Sequence, residues 1–159
     1  MSVLDLKNKI RNCSKLVVIG VGNEMKADDG AGVYIAKQLQ EKVKRPDIDV
    51  FIGGATPENL TGPVKKASPS HIIIVDAADF GEKPGRLKFL EKDQIEGEGF
   101  STHSFPLSVL VDYLERETGA KVLILGIQAK NTSAANGPSL EVKKAAQSLI
   151  DVLSSMPVE

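Results

Sequence analysis

The sequence is poor in the residues that most often carry chemistry or report structure. Among 159 residues there is no Trp, a single Cys and only two His. With Cys13 alone, an intrachain disulfide and a cysteine-paired structural zinc site are both excluded. No GxSxG or SxxK pattern supplies a serine nucleophile, and no Gly-Lys-Ser/Thr supplies a P-loop. Charge of one sign is absent as well. The formal net charge is −1 and the charges are interleaved, so general attraction to nucleic acid or anionic lipid is not the mode of action. No apolar run approaches the roughly 18–20 residues that span a bilayer. The N-terminus lacks the basic start, apolar middle and small-residue cleavage site of a signal peptide. These absences lead to the expectation of a cytoplasmic, reducing location, with no membrane or nucleic-acid partner.

What is present is enough for a core, since 42% of the residues are hydrophobic. Lys15–Val21, His71–Val75 and Lys121–Ile127 carry continuous apolar runs, which suit strands covered on both faces of a mainly parallel sheet. A fourth strand is expected at Ile48–Ile52. A fifth is expected at Arg86–Leu90, after the turn Lys83-Pro84-Gly85, as an antiparallel edge. Helical spacing recurs in Val3, Leu6 and Ile10, in Ile35, Ala36, Leu39 and Val43, in Leu107, Leu110, Val111 and Leu114, and in Val142, Ala146, Leu149 and Leu153. The first of these sets predicts an amphipathic helix over Met1–Cys13. Strands alternating with helices predict an α/β fold, a three-layer sandwich in which a mainly parallel, twisted five-stranded sheet is flanked by helices on both faces. No linker or repeat divides the chain, so residues 1–159 are read as one domain.

In such sheets ligands bind beyond the carboxyl ends of the strands, and the polar or Gly-rich loops here follow those ends. The first holds Gly20, Gly22, Asp28, Asp29, Gly30 and Gly32. A strand followed by GxG invites a dinucleotide reading, and a non-catalytic nucleotide or small-molecule module is the alternative function. The third glycine of that fingerprint is missing, because Met25 stands there. One of the paired aspartates is expected to cap the helix that follows. The glycines are expected to let another chain or ligand approach the backbone. Asp76 follows the apolar run Ile72–Val75 at the rim, and Asp79 has the character of a turn residue. His71 precedes a strand and is read as incidental. His103 lies before a helix that begins near the same rim, and a capping or surface role competes there with a functional one. Two carboxylates and one imidazole suit a borderline divalent ion with positions left open.

Five stretches resemble the [NiFe]-hydrogenase maturation proteases, in the order and spacing of that family. They are VIGVGNEMKADDGAGV at 18–33, FIGGATPENL at 51–60, IIIVDAADFGEKPG at 72–85, STHSFPLSVLVDYL at 101–114 and LGIQ at 125–128. The resemblance covers residues 15 to 155, and THSFPL and LGIQ are most similar to the branch that processes the large subunit of hydrogenase 3. It implies an endopeptidase that trims the C-terminal extension of a hydrogenase large-subunit precursor after nickel insertion. It implies Asp29, Asp76 and His103 as metal ligands, with Asp29 and Asp76 as the catalytic pair. It puts Gly53 and Gly54 near the substrate, and Asp28 is read with them as a substrate contact. The nickel it implies is carried by the precursor, and Zn or Cd can take the same ligands in vitro. Whether cleavage is metal-assisted or carboxylate-only is left open. A monomer is the simplest state for an enzyme that must dock a large precursor.

Overall fold

The computed structural model describes residues 2–95, 106–132 and 137–156. The five strands are β1 (Leu16–Val21), β2 (Ile48–Gly54), β3 (His71–Ala78), β4 (Leu87–Leu90) and β5 (Lys121–Gln128). They form one sheet in the order β2-β1-β3-β5-β4. The first four in that order are parallel, and β4 runs antiparallel to β5 at the edge. The helices are α1 (Val3–Lys9), α2 (Ala31–Lys42), α3 (Thr61–Ala67), α4 (Lys92–Ile95), α5 (Leu107–Thr118) and α6 (Leu140–Ser155).

Alternation along each strand sorts the core into two halves. Val18, Ile73, Val75 and Leu125 face one way and pack against Leu6, Ile35, Leu39, Ala146 and Leu149 from α1, α2 and α6. Val17, Ile19, Ile72 and Ile74 face the other and pack against Val64, Leu110, Val111 and Leu114 from α3 and α5. This is the expected three-layer α/β sandwich. β1 and β3 are buried along their whole length, which is why they read as unbroken apolar runs.

Three local expectations need correction. The N-terminal helix is only Val3–Lys9, opened by a Ser2–Asp5 capping box and followed by Asn12 in the left-handed region (φ 63). β3 continues past the apolar run to Ala78, because Asp76, Ala77 and Ala78 still pair with Gly126, Ile127 and Gln128 of β5. Asp76 is therefore inside a strand. Helix α3 was not anticipated, since its first turn holds Gly62 and Pro63, which read as punctuation. Pro is tolerated in a first turn, where its missing N–H has no helical partner to lose.

The strand order reverses direction at β1, so the topological switch point falls between β1 and β3. Helix α2 starts directly over it. A Cβ built on Gly32 stands 2.2 Å from the carbonyl oxygen of Val75 and 2.4 Å from that of Val21. Only glycine allows the helix so near both strand ends.

A second contact ties this turn to the far end of the chain. Asp28 is 0% exposed. Its carboxylate accepts from the backbone N–H of Lys130 (2.6 Å), Asn131 (3.1 Å) and Ser139 (2.5 Å), and from the Ser139 hydroxyl (2.9 Å). Its own N–H donates to the carbonyl of Asn131 at 2.8 Å. One side chain thus closes the connection between β5 and α6 onto the connection between β1 and α2. Replacing it strands several buried donors, so Asp28→Ala is expected to lower unfolding free energy by about 3 kcal/mol. Urea denaturation measures this, and a change below about 1 kcal/mol contradicts the role.

Candidate functional site

Two buried carboxylates stand at the switch point. Asp29 lies in the 3-10 turn Ala27–Gly30 that leads into α2 and is 7% exposed. Asp76 lies in β3 and is 1% exposed. The two are joined by short backbone contacts. Asp29 precedes Gly32 by three residues, and Gly32 sits on the carbonyl of Val75, the neighbour of Asp76. By alternation Asp76 falls on the side of Ile72 and Ile74, the face covered by α3 and α5. A carboxylate out of water is costly to keep charged without compensation. Two carboxylates near one switch point are of the residue type that suits a cation or acid–base work.

The neighbouring aspartates Asp28 and Asp29 do different things. The 3-10 turn advances about 120° per residue, which sends successive side chains apart. Asp28 points into the clamp on 130–139. That corrects its assignment as a substrate contact: it is fully buried and its oxygens already serve four donors. Neither aspartate caps α2, whose N-cap is Gly30 with no side-chain hydrogen bond. The expectation for the glycines is also refined, because the backbone that approaches them belongs to this chain. A Cβ on Gly20 would meet the carbonyl of Gly32 at 2.2 Å, and one on Gly22 would meet that of Asp29 at 2.0 Å. The 3-10 turn lies against Gly22, where the glycine turn of a dinucleotide fold receives a pyrophosphate, which disfavours the nucleotide alternative.

The two glycines ending β2 separate in the same way. Gly53 packs against Pro57, whose Cβ would be 3.0 Å from an added Cβ. Gly54 has φ +57 with open space where a side chain would go, and its carbonyl accepts from the N–H of Gly22 at 2.9 Å. It is an uncovered stretch of backbone at the rim, next to the turn that bears Asp29.

His103 lies outside the described residues. Among the described residues no cluster of three His, Cys, Asp or Glu side chains that could hold a metal ion occurs. His71 opens β3 at the opposite end of the sheet, with Nδ1 3.0 Å from the Ser70 hydroxyl. Burial, then the Lys121 charge, holds its pKa below the usual imidazole value. Cys13 lies against the same Ser70, and burial raises its thiol pKa, which suppresses the nucleophilic thiolate.

Gln128 is a rim residue that residue-by-residue reading passed over, although it ends the LGIQ stretch. It is 4% exposed. Its Oε1 accepts from the N–H of Phe80 (2.8 Å) and Glu82 (3.2 Å), and its Nε2 donates to Asp79 Oδ1 (3.1 Å). It pins the loop after β3, and Asp79 serves as the turn residue expected. A polar residue closing an apolar run was the available signal.

Comparison with known proteins identifies the family. The family model of the hydrogenase maturation proteases matches residues 33–156. The hydrogenase 3 maturation protease of Escherichia coli K12 is 38% identical over 113 residues, covering 70% of this chain and 71% of its own. The crystal structure of the [NiFe] hydrogenase maturation protease HycI from Thermococcus kodakarensis superposes with a TM-score of 0.86 at 30% identity, over 94% of this chain and 96% of that one. The solution structure of the endopeptidase HycI from Escherichia coli gives 0.75 at 32% identity, over 86% and 87%. By sequence and by fold, the chain belongs to the hydrogenase maturation protease family.

Proposed function

We propose that this protein is the endopeptidase that removes the C-terminal extension of a [NiFe]-hydrogenase large-subunit precursor once nickel is in place. The observation that carries this reading is the pair Asp29 and Asp76, buried at the β1/β3 switch point of a fold shared with HycI endopeptidases along most of its length. The 38% identity to a hydrogenase 3 maturation protease favours a precursor of the hydrogenase 3 type. The enzyme acts as a cytoplasmic monomer.

Nickel is part of the substrate. The precursor's own ligands hold it, and Asp29, Asp76 and His103 offer it additional oxygen and nitrogen donors. Only a loaded precursor gains these bonds, and a differential of roughly 1–3 kcal/mol separates it 5- to 150-fold from an empty one. The same ligands accept Zn or Cd in vitro. Cleavage needs a water to attack the scissile carbonyl. A carboxylate of the pair takes its proton and returns it to the leaving amine. The backbone at Gly53 and Gly54 borders the path of the substrate segment.

Mass spectrometry of precursor incubated with the enzyme tests the reading directly. Nickel-loaded precursor is expected to lose its extension and nickel-free precursor to stay intact. Equal cleavage of both, or of neither, overturns it. In the same assay Asp29→Asn, Asp76→Asn and His103→Ala are each expected to slow processing more than about tenfold while thermal melts show a folded protein. A variant that processes at the normal rate takes its residue out of the site.

A further inference from the structure

The two edges of the sheet are built differently. β4 is only four residues long, with Lys88 between Leu87 and Phe89, and Pro84 and Arg86 stand just before it. Short length, charge and proline are the usual guards against addition of a foreign strand. β2 is seven residues long, Ile-Asp-Val-Phe-Ile-Gly-Gly, and has neither a proline nor a basic residue. Its one charge, Asp49, is taken by Lys15 at 3.0 Å. From Asp49 to Gly54 every residue is half-buried, whereas β1 beside it is buried throughout. Among the described residues no strand lies beyond β2.

The main-chain groups on that edge are open as well. The carbonyl of Asp47 accepts from the N–H of Leu16 at 2.9 Å, which with the register turns Asp49, Phe51 and Gly53 toward β1 and Val50 and Ile52 outward. The Val50 carbonyl, facing away from β1, accepts instead from Gln40 Nε2 of α2 at 2.9 Å. Among the described residues the N–H of Val50 and both main-chain groups of Ile52 have no partner on this side. They form a template for one more strand. The template also leads somewhere. β2 runs parallel to β1 and β3 and ends at the rim that bears Asp29 and Asp76. Gly20 pairs with Ile52 and Val21 with Gly54, so Gly53 is an extra residue, a bulge that bends the end of the strand. Gly54 then leaves open space beside its backbone, and its carbonyl bonds the N–H of Gly22 in the loop leading to Asp29.

We infer that the outer edge of β2 receives the C-terminal extension of the precursor as an added antiparallel strand. The inference rests on the endopeptidase reading above, and it names the part of the substrate that is held and how. Its direction follows from which end of the substrate is free. The nickel-bearing body of the precursor lies over the rim, on the N-terminal side of the scissile bond. Only the extension, with its free C-terminus, has room to run down the edge away from the rim. That course is opposite to the course of β2. Ile52 exchanges two hydrogen bonds with one residue of the extension, and the N–H of Val50 donates to the carbonyl two residues further on. Main-chain pairing holds the extension straight and leaves the scissile bond beside the bulge at Gly53 and Gly54.

Two measurements on the full chain test it. The probe is a synthetic peptide with the extension sequence read by mass spectrometry from the processing assay. In amide hydrogen exchange followed by NMR, excess peptide is expected to slow Val50 and Ile52 more than about tenfold and to leave Phe51, already in the ladder to β1, unchanged. Of two peptides N-methylated at alternate residues, one keeps this protection and the other loses it, because only every second N–H of an added strand faces β2. In processing of nickel-loaded precursor, Val50→Pro raises KM about tenfold, the scale of one hydrogen bond, with kcat unchanged, since it removes an outward donor and spares the ladder. Where Val50→Pro does not fold, the exchange measurement decides. Unprotected Val50 and Ile52, two N-methylated peptides that behave alike, or an unaltered KM in a folded variant each overturn the added strand. Protection of the two amides that grows with enzyme concentration without peptide assigns the edge to a second copy, and overturns it too. If the unmodified enzyme leaves the loaded precursor uncut, the endopeptidase reading fails and the added strand falls with it. Cleavage with the two amides unprotected leaves that reading standing and removes the added strand alone.

Discussion

The arrangement depends on one close approach, that of Gly32 to the carbonyls of Val21 and Val75. Two parallel strands end side by side and a helix begins on top of them, nearer than any Cβ permits. The chain leaving β1 therefore cannot enter α2 directly. It loops out through residues 22–26 and returns through a 3-10 turn whose backbone lies against Gly22. That detour carries Asp29 to the switch point. With a side chain at position 32 the helix would stand off the sheet, and the buried aspartates of β3 and of the turn would no longer flank one crevice. The glycine pattern that imitates a nucleotide fold is thus a packing device, and what it positions is acidic.

Rigidity around the crevice comes from two buried polar side chains that do no chemistry. Asp28 binds the connection after β5, and Gln128 binds the connection after β3. Each spans roughly fifty to a hundred residues of sequence and satisfies main-chain donors that would otherwise need water. Loops usually carry function at the cost of precision. Here loops are fixed by buried side chains from a strand end and a turn. On the proposed reading the site judges the position of a metal held by another protein, and such fixed geometry serves that, because differential binding is only as sharp as the placement of the ligands.

The sheet was largely legible in the sequence. Apolar runs such as Ile72–Val75 mark strands buried on both faces, and the turn at Lys83-Pro84-Gly85 marks the return to an antiparallel edge. Strand ends were less legible. Asp76, Ala77 and Ala78 carry no apolar signal, and only pairing with β5 makes them strand. Of the candidate site, Asp29 and Asp76 were singled out by residue type and by position near strand ends, the motif resemblance sharpened them, and the structure puts one in the turn before α2 and the other within β3. The roles of the adjacent aspartates were not readable, because which of two neighbours turns inward is decided by a 3-10 turn and by partners about a hundred residues away. The helix at Thr61–Ala67 was hidden by its own Gly and Pro.

On the proposed reading, in which the enzyme checks its precursor for nickel, discrimination by metal and discrimination by polypeptide place opposite demands on it. A site that held nickel tightly by itself would take the ion without the precursor and lose its ability to report loading. The proposed set of two carboxylates and one imidazole would avoid this by supplying only part of a coordination sphere, which leaves most of the binding free energy to the precursor's own ligands. The same restraint makes nickel contacts insufficient to capture a large protein. Polypeptide contacts away from the metal must supply the remaining affinity, equally for loaded and empty precursor. Such contacts lower KM without eroding selectivity, because they cancel in the comparison between the two forms. Affinity and metal checking can then be adjusted independently, and the metal contacts are left to decide only whether the bond is cut.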